Sequence, residues 1–199
     1  MPEKNAKRKI WTTERYNRQA AKYDQKMRYF LPDKYRERAV GFLKPGNVLD
    51  IACGTGTFLL KAQKAGHACV GSDLSPGMVE QARLKLPDTK FFIGSYYALP
   101  FESGSFDNVV STYALGGVHI AVDKVIAEMK RVCRSGGRIV ILDWQKKEKE
   151  NILDRIICTI ASLSEDQPKD FMMEMESRGL KPQLLRFSYF YALVTGMKE

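Results

Sequence analysis

A chain of 199 residues with 44% hydrophobic side chains is long enough to bury one substantial core and too short for two ordinary domains. Its net charge of +9 is lopsided, because residues 1–38 carry 12 Lys/Arg against 5 Asp/Glu while residues 39–199 carry 20 against 18. The apolar runs fall far short of the roughly 20 residues a membrane span needs, no secretory leader pattern opens the chain, and Cys53, Cys69, Cys133 and Cys158 make neither a CxxC pair nor a ligand cluster. A cytoplasmic protein with reduced thiols and no metal is therefore expected.

In chain order, residues 1–38 read as a basic amphipathic helical segment and residues 39–199 as the domain that carries the site. Between Arg15 and Leu31, Tyr16, Ala20, Tyr23, Met27 and Phe30 recur at spacings of 4, 3, 4 and 3, which is one helical stripe. Arg15, Arg18, Lys22, Lys26 and Arg28 fall off it. Such a helix suits peripheral contact with an anionic membrane, a nucleic acid, or packing on the domain with the basic side in water.

From residue 47 onward, short apolar runs alternate with stretches of helical period, the signature of a parallel sheet with crossover helices. Strands are predicted at Val48–Ile51, Cys69–Ser72, Phe91–Ile93, Asn108–Ser111 and Arg138–Leu142. A helix with Phe58, Leu59, Ala62 and Ala65 inward ends at Gly66; a second opens at Ser75 and Pro76 and runs to about Lys85; a third covers Ile120–Cys133. Helices are predicted again at Asn151–Leu163 and Phe171–Arg178, followed between Gln183 and Thr195 by two strands whose short link permits only antiparallel pairing. The predicted fold is α/β, a doubly wound, Rossmann-like, mostly parallel seven-stranded sheet with an antiparallel C-terminal strand.

In such sheets ligands bind at the carboxyl ends of the strands. Those ends hold Asp50, Asp73, Ser95, Ser111 and Asp143. The first loop, Ala52-Cys53-Gly54-Thr55-Gly56, offers close backbone approach and a helix N-terminus for an anionic group. Asp73 can accept hydrogen bonds from both hydroxyls of a ribose. Gly-x-Gly plus an acid also fits a nicotinamide or flavin enzyme, but the dinucleotide fingerprint wants a third glycine where Leu59 stands.

Val48-Leu49-Asp50-Ile51-Ala52-Cys53-Gly54-Thr55-Gly56 resembles the first motif of the class I S-adenosylmethionine-dependent methyltransferases, and Asp73-Leu74-Ser75-Pro76-Gly77-Met78 resembles their ribose-binding motif. Gly94–Phe101, Ser105–Val110 and Met129–Arg138 resemble, in order, the adenine-contacting stretch, the fourth strand and the turn into the fifth. Within the superfamily the likeness is greatest to the branch of quinone-biosynthesis C-methyltransferases and phospholipid N-methyltransferases. The resemblance implies S-adenosylmethionine as cofactor. It assigns Asp50, Ala52, Cys53, Gly54 and Gly56 to the first motif, Asp73 to the ribose, Leu74, Met78, Ser95 and Tyr96 to the adenine, Ser111 to the fourth strand end, and Tyr23, on a covering N-terminal helix, to the neighbourhood of the sulfonium. Two departures stand out: Ala52 replaces the usual glycine, and Ser95 the usual aspartate, leaving only a weaker neutral hydrogen bond for the adenine amino group.

Methyl transfer from a sulfonium is an in-line displacement whose catalysis is mostly positioning. An amine or thiolate acceptor needs no strong base, whereas a hydroxyl or activated carbon calls for one within reach. The candidates are His119, Tyr113 and Asp143; His67 precedes the second strand, away from the site. No Asn-Pro-Pro-Tyr-like motif follows the fourth strand, which disfavours nucleobase amino groups. Two apolar lid candidates, the N-terminal helix and Asn151–Leu163, suggest a hydrophobic or amphiphilic acceptor, either a phospholipid amine or a quinone. The alternatives are a soluble amine or thiol, a nicotinamide-dependent oxidoreductase, a nucleic-acid-binding protein, and a non-catalytic cofactor-binding regulator.

Overall fold

The computed structural model describes residues 13–117, 119–147, 152, 156, 159, 167–188 and 191–199. The N-terminal segment comprises α1 (residues 13–19), a 3-10 turn at Ala20–Lys22, α2 (Tyr23–Met27) and α3 (Asp33–Val40). The sheet domain follows as β1 (Asn47–Ile51), α4 (Thr57–Lys64), β2 (Ala68–Asp73), α5 (Pro76–Lys85), β3 (Lys90–Ile93), β4 (Phe106–Thr112), α6 (Val122–Val132), β5 (Cys133–Trp144), α7 (Phe171–Glu176), β6 (Lys181–Arg186) and β7 (Tyr191–Met197). The strands form one seven-stranded sheet in the order β3-β2-β1-β4-β5-β7-β6. β1 to β5 are parallel, and β7 runs antiparallel to both β5 and β6.

Alternation along the central strands divides the core in two. Leu49, Ile51, Val109, Ile139 and Ile141 pack against Val125, Ile126 and Met129 of α6 and Phe171 and Met175 of α7. Val48, Val110, Val140 and Leu142 point the other way, onto Phe58, Leu59 and Ala62 of α4, Val79 and Ala82 of α5, and Tyr35 and Ala39 of α3. The helix starts follow local chemistry: at α5 the Ser75 Oγ accepts the Met78 N–H at 3.2 Å and Pro76 occupies the first turn, where it has no hydrogen bond to lose.

Three elements differ from their sequence expectation. β5 begins at Cys133, directly after α6, because Cys133 already pairs with Phe106 before the register shifts toward Asn108 and Arg138. The single stripe expected from Arg15 to Leu31 is broken, since the tighter 3-10 turn rotates its phase: Ala20 is buried, but Tyr16 is 41% and Phe30 68% exposed. α3, which the periodicity of the N-terminal segment does not set apart, runs through residue 38 with Tyr35, Arg36 and Ala39 buried. The helix predicted at Asn151–Leu163 lies outside the described residues except for Ile152, Ile156 and Thr159, which are helical. Among the described residues no helix is long and apolar enough to cross a membrane.

Candidate functional site

The carboxyl end of β1 leads into a loop that reverses sharply, with Ala52 at φ 51°, Gly54 at φ 55° and Gly56 at φ 76°. Two of these three left-handed positions are glycine, which adopts that region without cost; Ala52 does not share that freedom. A Cβ on Gly54 would meet nothing within 4 Å, so open space lies over the loop, whereas one on Gly56 would press on Ala82 and Leu86. Asp73 fixes the loop from β2: its Oδ2 accepts the Gly54 N–H and its Oδ1 the Ser75 N–H, both at 2.8 Å. Burial raises the Asp73 carboxyl above its ordinary range, against the pull of the N–H groups of Ser75, Gly54 and Leu74.

Beneath the loop, Asp50 is 1% exposed and neither carboxylate oxygen has a partner among the described residues. Burial lifts its pKa well up, the nearby Arg36 charge opposes the lift and Asp73 adds to it. A buried acid with both oxygens unmatched is costly unless a cation or donor completes it. Ser111, at the end of β4, is likewise buried with an unmatched hydroxyl. On the adenine side expected from the sequence, Ser95 Oγ accepts the Tyr97 N–H at 3.3 Å and the rings of Tyr96 and Tyr97 meet edge to face at 4.7 Å. Met78 is buried in the α5 face, Leu74 is half-buried beside it, and burial pushes the Cys53 thiol well up.

The N-terminal segment is stapled across this edge by two side chains. Asn17 Oδ1 accepts from Ser75 Oγ at 2.6 Å and from the Gly77 N–H at 3.0 Å, at the start of α5. Asp24 accepts from Thr55 Oγ1 at 2.5 Å and Thr57 Oγ1 at 3.4 Å, at the start of α4, and pairs with Lys85. Tyr23, next to Asp24, meets Tyr16 edge to face at 6.1 Å, and burial raises its phenol pKa.

Around β4 and β5 the three residues considered as bases sit differently from one another. Tyr113, at φ 56°, donates its hydroxyl to the Pro32 carbonyl at 3.1 Å and stands edge-on to Tyr191 at 4.9 Å. Asp143 Oδ2 accepts the N–H groups of Ala114 and Leu115 at 2.9 and 2.7 Å, and its Oδ1 that of Trp144 at 2.8 Å, so it shapes the loop after β4. His119 is exposed on that loop. His67 bonds the Gly46 carbonyl at 3.2 Å, at the opposite end of β1 from the site.

Sequence reasoning did not single out Arg36. It is 9% exposed, its Nη1 donates to the Leu31 carbonyl at 3.1 Å and to Asp33 Oδ1 at 3.0 Å, and its guanidinium lies 4.6 Å from the Tyr113 ring centroid. In the sequence it is one more base in a basic segment; only the placement of α3 beside Tyr113 sets it apart.

The fold is a Rossmann-like α/β domain that gathers these polar residues at one strand-end edge. Residues 49–141 match the methyltransferase domain family. The chain is 34% identical over 146 residues to a demethylmenaquinone methyltransferase of Renibacterium salmoninarum, covering 70% of this chain and 61% of that protein. It is 32% identical over 122 residues to a ubiquinone/menaquinone biosynthesis C-methyltransferase of a Geobacter species, covering 56% of this chain and 51% of that protein. The chain thus spans between half and two thirds of these relatives. Among solved structures, a methyltransferase from Thermotoga maritima, a possible histamine N-methyltransferase, shares the fold with TM-score 0.74 and 17% identity over 95% of this chain and all of that one. The geranyl diphosphate C-methyltransferase of Streptomyces coelicolor A3(2) shares it with TM-score 0.67 and 14% identity, over 84% and 77%. Residues 49–141 are thus similar to the methyltransferase domain family, and quinone-biosynthesis methyltransferases are among the chain's relatives.

Proposed function

We propose that this protein transfers a methyl group from S-adenosylmethionine to a quinone-like acceptor, hydrophobic or amphiphilic, at the carboxyl edge of β1, β4 and β5. The observation that carries the cofactor part is the pair formed by unmatched Asp50 and the open space over Gly54: a buried acid for the ammonium of the methionine end, beside a helix N-terminus for its carboxylate. Ala52, Cys53 and Gly56 shape that cradle, Asp73 takes the ribose, Leu74, Met78, Ser95 and Tyr96 surround the adenine, and Ser111 and Tyr23 close the sulfonium end. The cofactor supplies an electrophilic methyl group on a cationic sulfur; the chain binds, orients and excludes water. His119, Tyr113 and Asp143 belong to the acceptor side. The relatives' names support a quinone-like acceptor, as does the aromatic wall of Tyr113, Tyr191, Tyr35 and Phe187.

A lipid-soluble acceptor must be collected from a membrane, and one surface favours that reading. Tyr29 and Phe30 are 74% and 68% exposed at the turn between α2 and α3, beside Arg28 and Lys26. Exposed aromatics flanked by cations suit the interface of an anionic bilayer. The Phe30 carbonyl accepts from Tyr191 at 3.0 Å, tying this turn to the acceptor wall.

The test is release of S-adenosylhomocysteine with reduced unmethylated naphthoquinones, phosphatidylethanolamine vesicles, histamine and simple thiols, each with and without anionic liposomes. Turnover on the reduced quinone, stimulated by liposomes, is expected. Turnover confined to a soluble amine or thiol would overturn the acceptor reading, and absence of calorimetric binding to S-adenosylhomocysteine would overturn the cofactor reading.

A further inference from the structure

We propose that Arg36 forms an anion subsite of the acceptor pocket, so that the acceptor is an ionisable hydroxyl compound held as its oxyanion rather than an amine. The inference rests on the proposed methyl transfer and adds to it the charge state of the acceptor and the residue that holds it.

A guanidinium has five N–H donors. In Arg36 only Nη1 is used, by the Leu31 carbonyl and by Asp33, while Nε and Nη2 have no hydrogen-bond partner among the described residues. A guanidinium only 9% exposed whose remaining donors reach solvent is placed to receive an incoming acceptor of hydrogen bonds. Its surroundings are those of the reaction. The guanidinium lies over the Tyr113 ring at the end of β4, and its field is felt by Asp50 at the end of β1, by Tyr113 and by Tyr23 on the lid. A cationic or neutral amine would gain nothing from this charge. An oxyanion between the guanidinium and the sulfonium would be attracted to both.

The subsite also accounts for the state of the side chains nearby. Tyr113 commits its proton to Pro32, and Asp143 accepts three backbone N–H groups. Removing an acceptor proton through either would break those bonds. A cation that stabilises the ionised acceptor lets its proton go to solvent instead, the electrostatic substitute for a positioned base. The electron pair of the oxyanion, on oxygen or delocalised onto the adjacent ring carbon, forms the bond to the methyl carbon as the carbon–sulfur bond breaks and its pair passes to sulfur. When carbon attacks, the ring carbon then loses its hydrogen as a proton and the oxygen regains one. Either route releases one proton per methyl transferred.

Binding of 4-nitrophenol to the protein saturated with S-adenosylhomocysteine tests this without turnover, because phenol and phenolate absorb at different wavelengths. The bound probe should ionise at a pH about one unit lower than the free probe, a tenfold preference for the phenolate. Arg36→Met should abolish that shift while leaving S-adenosylhomocysteine affinity within about threefold, and Arg36→Lys should keep part of it. Should Arg36→Met fail to fold, Arg36→Lys and the wild-type protein carry the result. An unshifted probe in the wild type, or an equal shift in the wild type and either variant, overturns the subsite. Loss of S-adenosylhomocysteine binding by the wild type would instead overturn the cofactor reading on which it rests.

Discussion

Asp24→Ala should release the N-terminal segment from the rest of the domain without unfolding it. Asp24 accepts from Thr55 and Thr57 and pairs with Lys85, so one carboxylate joins α2 to the start of α4 and the end of α5. A charge-assisted hydrogen bond such as that from Thr55 contributes about 1.5–3 kcal/mol. The ion pair adds only about 0.5 kcal/mol, because Asp24 is 47% exposed and its field is screened. Taking about 2 kcal/mol in all, local opening should become about 30-fold more frequent, at tenfold per 1.4 kcal/mol. The assay is amide hydrogen exchange: protection of α2 should fall by about that factor, while β1 and β4 keep theirs. Acid should act in the same direction. Burial pushes the Asp24 carboxyl up, but the bonds from Lys85 and Thr55 outweigh it and hold the pKa below the ordinary 3.8. The stabilisation is therefore complete above that value and is lost as pH falls through the lower folded one. Unchanged protection of α2 in Asp24→Ala, or equal loss across β1 and β4, would refute the reasoning.

Asp73→Asn leaves one amide oxygen for the two N–H groups of Gly54 and Ser75, so the loop loses about 1–3 kcal/mol of organisation and calorimetric affinity for S-adenosylmethionine should fall at least about tenfold. Ala52→Gly removes a left-handed non-glycine residue at φ 51°; relief of about 1–2 kcal/mol exceeds the added unfolded-state entropy of about 0.5–1, and Tm should rise by about 2 °C in a thermal melt. Cys69, pushed up to about 11 by burial from an ordinary 9.0, should alkylate with iodoacetamide about 100-fold more slowly near pH 8 than a free thiol, read site by site by mass spectrometry.

The sequence by itself determined the sheet domain. Alternation of β-branched runs with helical periods, Ser75-Pro76 at one helix start and glycines at 54 and 56 are local signals, and local physics suffices to read them. It also placed Asp50 and Asp73 at strand ends, since residue order along a strand fixes which end a side chain occupies. Tertiary structure alone decided the rest. The stripe from Tyr16 to Phe30 presumes one unbroken helix, and the turn at Ala20–Lys22 is imposed by Asn17 and Asp24 reaching the starts of α5 and α4, contacts some 30 to 60 residues distant in the chain. Arg36 was indistinguishable from its basic neighbours until α3 laid it over Tyr113. Charge and periodicity are properties of a segment; burial and the matching of donors to acceptors belong to the folded whole.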